Sequence, residues 1–85
     1  MVKKEVTIEI EGGMQARNVA MFVQEAGGHD STIMVEYEGK RVNAKSIMGM
    51  MSLSLAEGEK ITIKADGPDE EEALASMEKF VSGKE

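Results

Sequence analysis

Val6, Ile8 and Ile10 alternate with Thr7 and Glu9, the period-two pattern of a strand buried on one face. Gly12-Gly13 interrupts it, and from Ala16 the apolar positions become Val19, Phe22, Val23 and Ala26, which share one face of a helix. The spacing predicts that this helix ends at Gly27-Gly28, because glycine accepts the left-handed backbone that often closes a helix. Ile33, Val35 and Tyr37 alternate again, and Glu38-Gly39 predicts a hairpin turn into a short strand through Arg41, Val42 and Asn43. Ser46 then caps a short helix expected to run through Leu53, with Ile47, Met50 and Met51 on one side and Met48 on the other. Glu57-Gly58 turns the chain into a fourth strand, where Ile61 and Ile63 flank Thr62. Gly67-Pro68-Asp69 stops that strand. Asp69 and Glu72 have capping-box spacing ahead of Ala73, Leu74, Met77, Phe80 and Val81, and acids at this start suit the positive end of the helix dipole.

The predicted order is βαββαβα, an α+β domain with helices on one face of a mainly antiparallel sheet. Eighty-five residues are too few to bury two cores, so residues 1–85 read as one domain. Composition is that of a globular chain, with 41% hydrophobic residues, 31% charged residues and one proline. No apolar run approaches the ~20 residues of a bilayer span, and no signal-peptide block follows the N-terminus. The expectation is a cytoplasmic protein without a membrane partner.

The sequence has no cysteine and one histidine, so no disulfide framework, thiol nucleophile, metal centre or cofactor is expected. Catalysis finds no motif either: there is no Ser/His/acid ordering or phosphate loop. A net charge of −6 disfavours direct contact with nucleic acid. That charge is unevenly spread. Residues 39–56 hold no acid and three bases, Lys40, Arg41 and Lys45, and residues 12–24 hold no acid and Arg17. Either the bases cluster by chance on solvated faces, or a local site is prepared for an anion or an acidic partner. Both stretches contain a helix start, where free N–H groups and the dipole favour negative charge.

The runs Gly13-Met14-Gln15-Ala16-Arg17, Val23-Gln24-Glu25-Ala26 and Val42 through Leu53 resemble the histidine-containing phosphocarrier (HPr) family of the sugar phosphotransferase system. Lys45-Ser46-Ile47-Met48-Gly49 is the most specific part. The resemblance covers the whole chain and implies an HPr-like open-faced β-sandwich, a four-stranded antiparallel sheet with three helices on one face. In that family a histidine stands before the Ala-Arg pair and takes a phosphoryl group from enzyme I, whereas this sequence has Gln15. A glutamine amide offers no basic nitrogen for that task. Glutamine here resembles a regulatory branch of the family that acts in carbon catabolite repression. The resemblance implies that HPr kinase/phosphorylase phosphorylates Ser46 and that the product is corepressor of a LacI-type catabolite control protein, meeting DNA only indirectly.

The residues implied at the partner surface are Gln15, Arg17, Ile47, Met48 and Met51, with Met50 assigned to the core. Arg17 lies close to Ser46 only if the fold brings the two helix starts together. His29 follows the first helix and reads as a surface loop residue, although an atypical phosphocarrier would have to use it. Asn18 replaces a family proline, which removes a preset φ and predicts a looser turn. A third reading is a passive dimerising module that exchanges its first strand, which leaves a homodimer open.

Overall fold

The computed structural model describes residues 1–83; residues 84 and 85 of the expected domain lie outside that range. Its elements run β1 (Val2–Thr7), α1 (Ala16–Gly27), β2 (Thr32–Tyr37), β3 (Lys40–Asn43), α2 (Ile47–Met51), β4 (Lys60–Asp66) and α3 (Glu70–Ser82). The strands form one antiparallel sheet in the order β1-β4-β2-β3, so β1 and β3 are its edges. The inward sides of β2 and β4, carrying Ile33, Val35, Ile61, Ile63 and Ala65, bury against Val19, Phe22 and Ala26 of α1 and Ala73, Met77, Phe80 and Val81 of α3. Phe22 and Phe80 join the two long helices edge to face, 5.7 Å between ring centres. The other sheet face is open and polar, with Glu36 of β2 held by Lys64 of β4 at 2.7 Å and facing Arg41 of β3 at 3.9 Å. Those two cations draw the Glu36 carboxyl below its ordinary range, the Lys64 hydrogen bond being the larger cause.

The first strand and α2 have bounds that differ from the sequence expectation. The first strand begins at Val2 and stops at Thr7, where register with β4 ends at the pair Thr7–Lys60. Ile8 still exchanges bonds with the 58–59 turn, but Glu9 and Ile10 swing away and both donate their N–H groups to the Val81 carbonyl, at 2.7 and 2.9 Å. Helix α1 ends without a left-handed glycine: Gly28 is right-handed (φ −79, ψ −4) and closes the last turn by donating to Glu25. The hairpin turn does use positive φ, at both Glu38 (49°) and Gly39 (82°). Helix α2 is five residues and stops at Met51, short of Leu53, because Ser52 and Leu53 tighten into a turn that buries Leu53.

The expected Asp69–Glu72 capping box does not form. Asp69 precedes α3 but makes no side-chain cap, and Glu72 is exposed. The Asp69 carboxylate accepts instead from the Ser31 N–H (2.9 Å), the Ser31 hydroxyl (2.5 Å) and the Asp30 N–H (3.1 Å), and faces His29 Nδ1 at 3.3 Å. The Ser31 hydroxyl is the main cause that lowers the Asp69 carboxyl to about 2. This corrects His29 as well: its side chain is mostly covered and turned to Asp69, not a free surface group. Gly67 permits the approach, since a Cβ there would lie 2.7 Å from Ser31 Cα.

Candidate functional site

Ser46 takes an extended backbone (φ −114, ψ 116), and its hydroxyl oxygen accepts the Gly49 N–H at 3.1 Å while its carbonyl accepts Met50. One otherwise orphaned donor of α2 is thereby satisfied. Asn43 sets the approach: its side-chain oxygen accepts the Lys45 N–H at 2.8 Å and its carbonyl accepts the Ser46 N–H at 3.0 Å. Gly49 lets the turn close on the serine, because a Cβ would sit 3.3 Å from Ser46 Oγ and 3.4 Å from Val42 Cβ. Ser46 itself is half-buried, so its hydroxyl is not sealed beneath the core.

The second region is the turn before α1. Gly12 and Gly13 have φ of 83° and 66°, and a Cβ on Gly13 would strike the Glu57 nitrogen at 2.7 Å, so glycine is required against that loop. Met14 buries its side chain and donates to the Leu55 carbonyl at 3.0 Å, while the Gly12 N–H reaches the Glu57 carboxylate at 3.3 Å. Asn18 does not loosen the turn as expected. Its side-chain amide donates to the Gly13 carbonyl at 2.6 Å and the Glu11 carbonyl at 3.2 Å, replacing a ring constraint with two hydrogen bonds. Gln15 precedes α1 with no side-chain cap and is exposed, as is Arg17. Both line a shallow depression of about 370 Å³ with Ile10, Glu11, Asn18 and Met21.

Two hydrogen bonds set α2 against α1. Lys45 Nζ donates to the His29 carbonyl at 2.8 Å, which sets the start of α2 beside the end of α1, whereas the Met14–Leu55 bond sets the exit from α2 beside the start of α1. Neither bond joins Arg17 to Ser46, and among the described residues the two side chains share no hydrogen bond. Arg41 faces Glu36 on the open sheet side instead of Ser46. On α2 itself an apolar strip is exposed, formed by Ile47, Met48 and Met51, while Met50 points into the core. Sequence reasoning missed Met21, which is exposed on α1 one turn beyond Arg17. The signal was present, since Met21 falls off the Val19–Phe22–Val23–Ala26 face at the i+4 position from Arg17. Among the described residues no helix is long and apolar enough to cross a membrane, and no group of three His, Asp or Glu side chains is placed to hold a metal ion.

The family profile described as the PTS HPr component phosphorylation site matches residues 2–83. The HPr-like protein Crh of Halalkalibacterium halodurans is 48% identical over 81 residues, covering 95% of this chain and 96% of the relative. A crystal structure of the phosphocarrier protein HPr from Bacillus anthracis superposes with a TM-score of 0.92 at 49% identity, covering 94% of this chain and 95% of that one. Crh of Bacillus subtilis, whose crystal structure is a dimer with a swapped domain, matches with a TM-score of 0.77 at 47% identity over 95% and 93% of the two chains.

Proposed function

This chain belongs to the family of the HPr component of the phosphotransferase system, and from that premise we propose that it is a regulatory, non-enzymatic member switched by phosphorylation of Ser46. The carrying observation is the half-buried Ser46 hydroxyl, capping α2 at one end of an exposed strip of Ile47, Met48 and Met51. HPr kinase/phosphorylase is the modifying enzyme. The product is corepressor of a LacI-type catabolite control protein in the cytoplasm, touching DNA only through that repressor.

A phosphate on Ser46 adds about −1.5 to −2 charge at a helix start, where N–H groups can turn to its oxygens. The modified residue keeps its capping role, so α2 persists and the change is one of surface. The repressor reads a strip with phosphate at one end, Arg17 and Gln15 at the other, and methionine side chains between them. Arg17 binds the partner, and its side chain makes no hydrogen bond to the Ser46 hydroxyl within the chain.

Gln15 stands where the family resemblance expects the phosphoryl-accepting histidine, and its amide is no nucleophile. His29 does not substitute. It lies past the far end of the 12-residue α1, a helix about 18 Å long, and its ring is engaged with Asp69.

The test is incubation with HPr kinase and ATP, followed by intact mass and repressor binding. A gain of about 80 Da for one phosphoryl group, absent in Ser46→Ala, with repressor bound only by the modified form, is the expected result. No gain at Ser46 overturns the reading. Acid-labile label from phosphoenolpyruvate and enzyme I would favour a phosphocarrier instead.

A homodimer is the second part of the proposal, favoured by β1 being an edge strand paired with β4 and by the swapped dimer of the Bacillus subtilis relative. Sedimentation across a concentration series reads it directly, and a monomer at every concentration removes it.

A further inference from the structure

The eight methionines fall into two populations. Met14, Met50 and Met77 are core residues, Met50 being 1% exposed. Met48 is 85% exposed, Met21 49% and Met51 44%, and these three flank the Ser46 and Arg17 regions; Met1 is also exposed, and Met34 is half-buried on the open sheet face. The chain has no cysteine, so thioethers are its only sulfur. Access to the sulfur governs which methionine an oxidant reaches. Met48 is the most exposed of the methionines, and Met50, two residues along the same short helix, is almost fully buried.

We infer that Met48 is a reversible oxidation site, and that its sulfoxide switches off the docking strip while leaving the fold and the Ser46 switch intact. The partial claim about docking rests on the corepressor reading above. The oxidant is a hydroperoxide. The sulfur lone pair attacks the terminal peroxide oxygen, the O–O bond breaks, an S–O bond forms, and the remaining oxygen leaves as water or alcohol after taking up a proton. Sulfur is oxidised by two electrons and the peroxide is reduced by two. The product replaces a flexible apolar tip with a polar one at the centre of the strip. The Ser46 cap uses the Gly49 N–H and none of the Met48 side chain, so the hydroxyl remains available to its kinase. The result is a strip with two opposed inputs, phosphate at Ser46 and oxygen at Met48.

The experiment treats the full chain, with and without phosphate on Ser46, with graded hydrogen peroxide. Peptide mapping reads the gain of about 16 Da for each oxygen, alongside a thermal melt and repressor binding. Met48 is expected to oxidise first, Met50 and Met77 last, with the melt unchanged at the stage where Met48 alone is modified. Repressor binding of the phosphorylated form is expected to weaken about tenfold at that stage, as for loss of an interface anchor. Methionine sulfoxide reductases A and B together should restore it. Met48→Leu, compared with itself before and after peroxide, should lose most of that fold-change, so the variant's own starting affinity does not enter. Oxidation of Met50 as early as Met48, unchanged repressor binding by the Met48 sulfoxide, or an equal fold-loss in Met48→Leu each overturns the inference. Absence of repressor binding before any peroxide counts against the corepressor reading and removes the docking half of this one, while the oxidation order still decides whether Met48 is the site.

Discussion

Ser46 and Asp69 each stand immediately before a helix, yet one keeps its side-chain oxygen for its own helix and the other gives its carboxylate to a different part of the chain. Ser46 bonds three residues ahead, to the Gly49 N–H. Asp69 bonds 38 and 39 residues back, to Ser31 and Asp30, and faces His29. A negative charge suits both places, since both are helix starts. At Asp69 the charge is permanent and wired between α3 and the α1–β2 loop, so it is part of the architecture. At Ser46 the charge is absent until added, and the hydroxyl that would carry it is bonded to the Gly49 N–H of α2, so adding it is expected to change a surface without disturbing the core.

The largest way to test that contrast is Asp69→Ala. It strands the buried Ser31 hydroxyl and unties the loop from α3, and we expect the melting temperature to fall on the order of 10 °C, with Ser46 phosphorylation still proceeding on the folded fraction. The same contrast has a pH form. The Asp69 carboxyl is held at about 2 against an ordinary 3.8, so its contribution is full above the ordinary value and is lost as pH falls through the folded one. Denaturant unfolding between pH 5 and 2 should therefore show the stability gap between the native chain and Asp69→Asn closing as acid is added; a constant gap contradicts this assignment.

Asn18→Ala comes next in size. Removing two side-chain bonds to the turn should cost about 1–2 kcal/mol, and hydrogen exchange should rise at Gly13 and Met14 while the Asp69 region is unchanged. Ser46→Ala should be milder, about 1 kcal/mol for one cap, while abolishing phosphate incorporation altogether. Smallest of all is the expected effect of the phosphate itself on stability, a shift in melting temperature of a few degrees at most. A loss as large as that of Asp69→Ala would erase the distinction between the two helix starts.

The features legible in the sequence are those whose cause is local. Ser46 was readable as a cap because its partner is three residues away, and Glu38-Gly39 as a turn because a tight hairpin asks for positive φ. Val19, Phe22 and Ala26 marked the buried face of α1 by spacing alone. The first strand was only half legible: Lys3, Lys4 and Glu5 are all exposed on this edge strand, with Lys4 reaching Glu78 at 2.8 Å, so alternation is masked where pairing begins. Asp69 misled because a capping-box spacing describes neighbours in sequence, and Ser31 is not one. The placement of Arg17 relative to Ser46 depends on how α2 is laid against α1, which no pattern within either helix encodes.

The Val81 carbonyl, which receives both Glu9 and Ile10, ties the end of α3 to the segment that leads into the Gln15 turn. Ser82→Cys would supply the sole thiol in the chain, and a fluorophore there would sit beside Glu9, on the segment that continues through Ile10 to the depression lined by Gln15 and Arg17. Emission from that dye is expected to change if the proposed repressor engages Gln15 and Arg17, so binding could be followed in real time from the last turn of α3.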